Sequence, residues 1–277
     1  MVKEILNQIP DIKYLENNNF FLIAGPCVVE NEDICMTVAK ELIKISDKYQ
    51  IPYIFKASYK KANRTKLESF TGIGDLEAME ILKKIRKTFE VPIITDIHTP
   101  EEAYFAAGYV DILQIPAFLC RQTDLLIAAA KTNKVINIKK GQFLSGYNMR
   151  YAIEKVTKSG NNKVMVTERG NMFGYNDLIV DFRNIKIMKS FGKPVILDIT
   201  HSVQQPNQPE GISGGIPEMI EILALAGIAI GVDGIFMETH PDPSKALSDG
   251  TNMLPLDKVE ELIKKLLAIY NVRKNFN

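Results

Sequence analysis

The sequence has almost no surplus of charge: 34 Lys and Arg stand against 33 Asp and Glu, a net charge of +1 over 277 residues. Nucleic-acid and membrane-surface binders favour a strongly basic face, so neither partner is expected, and basic clusters are judged one at a time. Cysteine is scarce, with Cys27, Cys35 and Cys120 the whole set. An odd and sparse set does not suit a disulfide framework, and a reducing cytoplasm is the expected location. Long apolar runs are missing near the start. Phe20–Ala24 is too short for a signal peptide or a membrane span, and neither is expected. Linkers, low-complexity tracts and sequence-level repeats are lacking too.

What is present is a rhythm. Short β-branched or aromatic runs alternate with longer amphipathic ones, in a chain of 46% hydrophobic residues whose length is near that of an eightfold barrel. The expected strands are Phe20–Ala24, Tyr53–Ala57, Ile93–Asp96, Ile112–Ile115, Val135–Lys139, Val164–Thr167, Val195–Asp198 and Gly234–Met237. Each is nearly all apolar, as a strand buried on both faces should be. Helices are expected over Asp33–Lys48, Leu76–Phe89, Gln122–Thr132, Gly215–Ala226 and Leu256–Tyr270, with others starting at Pro100 and near Arg150–Lys158 and Leu178–Ser190. This alternation predicts an α/β chain: one (β/α)8 barrel domain over residues 1–277, with 1–19 as a short N-terminal extension. No glycine-rich dinucleotide fingerprint follows the first strand, which speaks against an open doubly wound sheet. Ser202–Gly215, polar and rich in Gly and Pro, reads as a long loop and a candidate lid.

Active sites of such barrels crown the carboxyl ends of the strands. Just past each strand stand Cys27; Lys56 and Lys61; Asp96 with His98; Gln114; Lys139 with Lys140; Glu168 with Arg169; Asp198 with His201; and Glu238 with His240. The three histidines of the chain all fall there. Lys56, Lys61, Arg64, Lys139 and Arg169, with Arg121 close behind the fourth strand, are expected to converge on one mouth whose acids are too few to neutralise them. A site of that sign suits an anion carrying phosphate or carboxylate. Cys27, His201, Glu238 and Asp249 form a second set, from strand ends that meet when the barrel closes. One sulfur, one imidazole and two carboxylates can hold a divalent transition ion, although Cys27 alone reads more readily as a small buried hydrophobe.

Phe55-Lys56-Ala57-Ser58 with Lys61-Ala62-Asn63-Arg64, and the long run Gln114-Ile115-Pro116-Ala117-Phe118-Leu119-Cys120-Arg121-Gln122-Thr123-Asp124, resemble the 3-deoxy-D-manno-octulosonate 8-phosphate synthase family. So do Asn137-Ile138-Lys139-Lys140-Gly141-Gln142-Phe143, Thr167-Glu168-Arg169-Gly170, Phe173-Gly174-Tyr175, Asp198-Ile199-Thr200-His201-Ser202 and Met237-Glu238-Thr239-His240-Pro241. The likeness runs from about Phe20 to the last helix. It implies condensation of phosphoenolpyruvate with D-arabinose 5-phosphate and water, giving the eight-carbon sugar acid phosphate of the lipopolysaccharide core and inorganic phosphate. Gly25-Pro26-Cys27 and Ser248-Asp249-Gly250 resemble the metal-dependent branch of the family, where the other branch has asparagine in place of the cysteine. The resemblance therefore implies a divalent ion (zinc, iron, manganese or cobalt) on Cys27, His201, Glu238 and Asp249. His201 and Asp249 are expected, on the chemistry, to orient the attacking water as well. By the same likeness Lys56, Lys61, Lys139 and Arg169, with Gln114 nearby, hold phosphoenolpyruvate. Asn63, Arg64 and Arg121 take the pentose phosphate, and Asp96 meets the sugar. The counterpart of Arg121 comes from a neighbouring subunit, which implies a homotetramer. Tyr59-Lys60 and Thr65-Lys66 depart from the family, which usually has Phe-Asp and two serines there. Thr65 keeps a hydroxyl, and Lys60 adds a charge at the mouth.

Three rivals remain at this level. A 3-deoxy-D-arabino-heptulosonate 7-phosphate synthase, acting on erythrose 4-phosphate, shares Gly-Pro-Cys, but its second-strand motif typically reads Lys-Pro-Arg-Thr where this chain has Lys61-Ala62-Asn63-Arg64. A Schiff-base aldolase would need Lys139 desolvated and its pKa lowered. A non-enzymatic sugar-phosphate binder would have no use for both a cation set and a ligand set.

Overall fold

Runs rich in Ile, Val and Phe become parallel strands because each is buried on both faces, where β-branched side chains pack well. The computed structural model describes residues 2–64, 66–173, 177–205 and 214–276. Its principal strands are β1 (Phe21–Gly25), β2 (Tyr53–Lys56), β3 (Ile93–Asp96), β4 (Ile112–Ile115), β5 (Val135–Lys139), β6 (Val164–Glu168), β7 (Val195–Asp198) and β8 (Gly234–His240). They pair in parallel in chain order, and β1 pairs with β8 from Phe21 opposite Gly234 to Gly25 opposite Glu238, so the sheet closes. After a first short helix α1 (Val2–Leu6), each strand is followed by a helix: α2 (Glu32–Tyr49), α3 (Asp75–Phe89), α4 (Pro100–Ala107), α5 (Thr123–Lys131), α6 (Met149–Lys158), α7 (Arg183–Lys189), α8 (Met219–Ile230) and α9 (Val259–Arg273). This is a (β/α)8 barrel.

The helix starts have local causes. The Asn31 side chain accepts a hydrogen bond from the Ile34 N–H and caps α2. Thr99 caps α4, with Pro100 and the acids Glu101 and Glu102 in its first turn. Two expected helices start later than their patterns suggested. Leu178–Ile179 instead pairs antiparallel with Asn171–Met172, and α7 begins at Arg183. Gly214–Gly215 pairs with Gln204–Gln205, and α8 runs from Met219 to Ile230. In both cases loop pairing claims the residues before the helix.

Strand periodicity sorts the core. Leu22, Ala24, Phe55, Leu113, Ile136, Val166, Leu197 and Ile235 face the helices. Between them, Phe21, Ile23, Ile54, Ile94, Ile112, Val135, Met165, Ile196 and Phe236 form a separate cluster inside the barrel. The segment expected to be an appendage closes that cluster from below: Ile5, Leu6 and Ile9 are buried against it. Of the candidate lid, residues 206–213 lie outside the described residues, as do Thr65, Gly174 and Tyr175.

Candidate active site

Counting two residues up from each inward apolar side chain reaches the site. Ile54 leads to Lys56, Ile94 to Asp96, Ile112 to Gln114, Val135 to Asn137, Met165 to Thr167, Ile196 to Asp198 and Phe236 to Glu238, and all seven are buried. Two residues further come Lys139 and Arg169, and the same count on β1 passes Gly25 to Cys27. A ring of apolar side chains thus floors a ring of polar ones. Gly25 is required here, because a Cβ would come within 2.0 Å of the Lys56 carbonyl oxygen.

The polar ring is cross-linked. Lys56 Nζ meets Glu238 Oε1 at 2.7 Å and Asp96 Oδ2 at 3.7 Å, and donates to Ser58 Oγ at 3.1 Å. Asp96 also accepts from Gln114 at 2.6 Å and from Ser58. Gln114 Oε1 accepts from Asn137, and Asn137 Oδ1 from Thr167, each at 2.8 Å. Gln114 therefore spends both ends of its amide on neighbours, so in this structure it orients Asp96. Ser58, Asn137 and Thr167 had no role assigned from the sequence. The period-two count from Ile54, Val135 and Met165 is the signal that would have found them.

The expected convergence of cations holds for Lys56, Lys61, Arg64, Lys139 and Arg169, but their expected excess over acids does not. Lys61 stands 4.0 Å from Glu238, Arg64 Nη1 is 3.6 Å from Asp249 Oδ1, Lys139 is ion-paired to Asp198, and Lys140 lies 3.2 Å from Glu168. Arg169 instead donates to the His201 carbonyl at 2.8 Å and to Gln204. Glu168, Asp198 and Glu238 stand at strand ends and Asp249 in the loop after β8; all four were named from the sequence, but their pairing with these cations depends on which side chains meet across the barrel. Burial opposes the charge on Lys61, yet Cys27 and the carboxylates of Glu238, Asp96 and Asp249 hold its pKa above the usual amine range. Burial pushes the Lys139 amine down, with Lys56 and Arg169 acting the same way against Asp198. Arg121 and Asn63 are exposed, and neither side chain makes a hydrogen bond or ion pair with the cluster among the described residues. Arg121 lies in the turn before α5.

Three members of the second set assemble, and His201 stands beside them. Cys27 Sγ and carboxylate oxygens of Glu238 and Asp249 lie within 4.8 Å of one another. Cys27 Sγ is 3.6 Å from Asp249 Oδ2 and 3.1 Å from Ser248 Oγ. His201 joins through Nε2, 3.5 Å from Glu238 Oε2 and 4.0 Å from Asp249 Oδ2. Two ligands of one ion with bonds of about 2.0–2.3 Å stand roughly 3–4 Å apart, so the S, N and O donors fit a transition ion. Burial first, then the charges of Glu238 and Asp249, push the Cys27 thiol well above its ordinary value; a cation is what stabilises a thiolate in such a place. Asp249 holds a left-handed backbone at φ 48°, a conformation aspartate adopts more readily than most side chains.

The other two histidines serve their loops. His98 Nδ1 and its backbone N–H face Glu102 at 2.9 and 2.7 Å, while His240 Nδ1 sits against the Asp242 backbone. Lys60 adds no free charge to the mouth, since it pairs with Glu102 at 2.8 Å and Asp75 at 3.0 Å.

Comparison with known proteins gives a consistent likeness. The model of the DAHP synthetase I family matches residues 4–272. A protein of Brucella anthropi is 49% identical over 267 residues, covering 96% of each chain. One of Cyanothece is 48% identical over 260 residues, 94% of this chain and 95% of its own. One of Geobacter metallireducens is 49% identical over 269 residues, 97% of this chain and 98% of its own. All three are named 2-dehydro-3-deoxyphosphooctonate aldolase.

Proposed function

Since the chain belongs to the DAHP synthetase I family and, within it, to the 2-dehydro-3-deoxyphosphooctonate aldolases, we propose that it condenses phosphoenolpyruvate with D-arabinose 5-phosphate and water. The products are 3-deoxy-D-manno-octulosonate 8-phosphate and phosphate. The observation that carries this reading is the cluster at the strand ends in which the buried Lys56, Lys139 and Arg169, with the partly buried Lys61, gather with the buried carboxylates of Asp96, Asp198 and Glu238. Carbon 3 of the enol phosphate attacks the sugar aldehyde, whose oxygen takes up a proton to become a hydroxyl; water adds at carbon 2, and the bond from carbon 2 to the phosphate oxygen breaks to release phosphate. Fixed cations hold two anionic substrates together against their repulsion and stabilise the charge that develops. In this assignment Lys56, Lys61, Lys139 and Arg169 take the carboxylate and phosphate of phosphoenolpyruvate. Asp96, oriented by Ser58 and Gln114, accepts from the sugar, and Arg64 and Asn63 receive its phosphate.

Cys27, His201, Glu238 and Asp249 would hold a divalent ion, of zinc, iron, manganese or cobalt. The chemistry such an ion supplies when bound is Lewis-acid polarisation or a template for ordered water. A homotetramer completes the proposal, with Arg121 offered to a neighbour's sugar-phosphate site; its exposure on this chain supports that reading. Three free, buried cysteines agree with a cytoplasmic setting. No helix among the described residues is long and apolar enough to cross a membrane.

The test is a product assay with four- and five-carbon aldose phosphates, with and without chelator. The expected outcome is the eight-carbon acid from arabinose 5-phosphate, lost on chelation and restored by a divalent ion. Preferential use of erythrose 4-phosphate would overturn the substrate assignment, and full activity of chelator-treated Cys27→Ala would overturn the metal assignment. One observation favours a Schiff-base aldolase instead: the lowered amine of Lys139. Against it, Asp198 holds that amine in a direct ion pair. A trapped imine after borohydride treatment would decide for the rival.

A further inference from the structure

Asp198 is fully buried at the end of β7, and both its carboxylate oxygens are in use. Oδ1 accepts from the backbone N–H of Thr200 at 3.1 Å and of His201 at 2.8 Å, and from the Thr200 hydroxyl at 3.1 Å. These bonds lock its rotamer. Oδ2 accepts from His201 Nδ1 at 2.7 Å and from the Lys139 ammonium. An ionised carboxylate can only accept, so the hydrogen of that contact sits on Nδ1, and in the neutral ring, the form that binds a metal, the lone pair is then on Nε2. Nε2 is the nitrogen that faces Glu238 and Asp249.

We propose that Asp198 is a positioning residue that fixes His201 in the Nδ1–H tautomer and aims Nε2 into the Cys27–Glu238–Asp249 cluster, while anchoring Lys139 beside it. The inference rests on the reading of that cluster as a metal site. An outer carboxylate of this kind raises the basicity of the imidazole and spares it the cost of choosing an orientation when an ion binds. Asparagine would reverse the polarity of the contact. Its carbonyl oxygen would keep the backbone bonds of Thr200 and His201, and its NH2 would donate to Nδ1. The imidazole hydrogen would then move to Nε2, where no lone pair remains for an ion.

The test uses chelator-stripped full-length protein titrated with Co2+, read by sulfur-to-cobalt charge-transfer absorption and by metal content after gel filtration. Asp198→Asn is expected to bind Co2+ about 10–100-fold more weakly than the unaltered protein, and Cys27→Ala to lose the charge-transfer band. Equal Co2+ affinity in Asp198→Asn and the unaltered protein would overturn the inference alone. Failure of the unaltered protein to take up cobalt, or a band that survives Cys27→Ala, would overturn the metal reading beneath it. Should Asp198→Asn fail to fold because the buried Lys139 has lost its partner, Lys139→Met with Asp198→Asn removes the stranded charge. Set against Lys139→Met alone, that pair must show the same weakening, and equal affinity again overturns the inference.

Discussion

Asp96 sits where cations from strand and loop meet a row of neutral donors, and its ionisation carries information about the whole ring. Burial alone would raise its pKa. Lys56 and Lys61, with the hydrogen bonds from Ser58 and Gln114, outweigh that and hold it well below the ordinary Asp value of 3.8. Between the two values the unfolded chain binds more protons than the folded one, so stability falls as pH drops through that window and is fully present above it. Asp96→Asn is accordingly expected to flatten the acid limb of a Tm-against-pH curve; an unchanged limb would show that the ring does not hold this carboxylate as described. Single residues also show where the sequence misled. Lys60 reads as a stray charge at the mouth, yet Asp75 and Glu102 occupy it. Those partners lie 15 and 42 positions further along the chain, a separation no local pattern reports.

Among elements, neighbouring strands β5 and β6 hold their inward cationic side chains in a common way. Lys139 and Arg169 turn inward, while Lys140 and Glu168, next to them in the chain, form an ion pair with no exposed side-chain surface. Lys140 Nζ also donates to the carbonyls of Gly141, Leu144 and Gly170 and to Asn171, tying the two strand-end loops together. Glu168 Oε1 accepts from the N–H groups of Arg169 and Gly170 at 2.9 and 2.8 Å. Lys140→Met strands a buried carboxylate and should cost about 3–5 kcal/mol, measured by denaturant unfolding, with the KM for phosphoenolpyruvate raised because Arg169 loses its support. The strands were legible because their apolar runs match the barrel's needs. Helix starts were less so: Leu178 and Gly215 belong to loop pairings whose partners, Met172 and Gln204, come from elsewhere in the chain.

Across the whole molecule, α1 closes the end of the barrel opposite the site. Leu6 is only 4% exposed, packed with Ile5 and Ile9 against the inward apolar ring. Leu6→Ala leaves a cavity under that ring and should cost about 2–5 kcal/mol of stability, read by thermal unfolding, with KM values little changed because the polar ring lies a layer above. Unchanged stability would mean that the segment is only an appendage, as residues 1–19 read in the sequence alone. What the sequence by itself determined was the barrel and the roster of chemistry at its strand ends. Both follow from period-two burial and from residue type, which are local properties. Only the tertiary structure decided how the roster divides. Closure of β1 on β8 brings Cys27 to Glu238 and Asp249, while Arg121 and Asn63 stay outside the cluster. Carboxylates supplied across the ring turn an apparent excess of cations into paired ones. Pairing depends on which side chains share the barrel's interior at one depth, and that is fixed by closure and register rather than by any run of neighbouring residues.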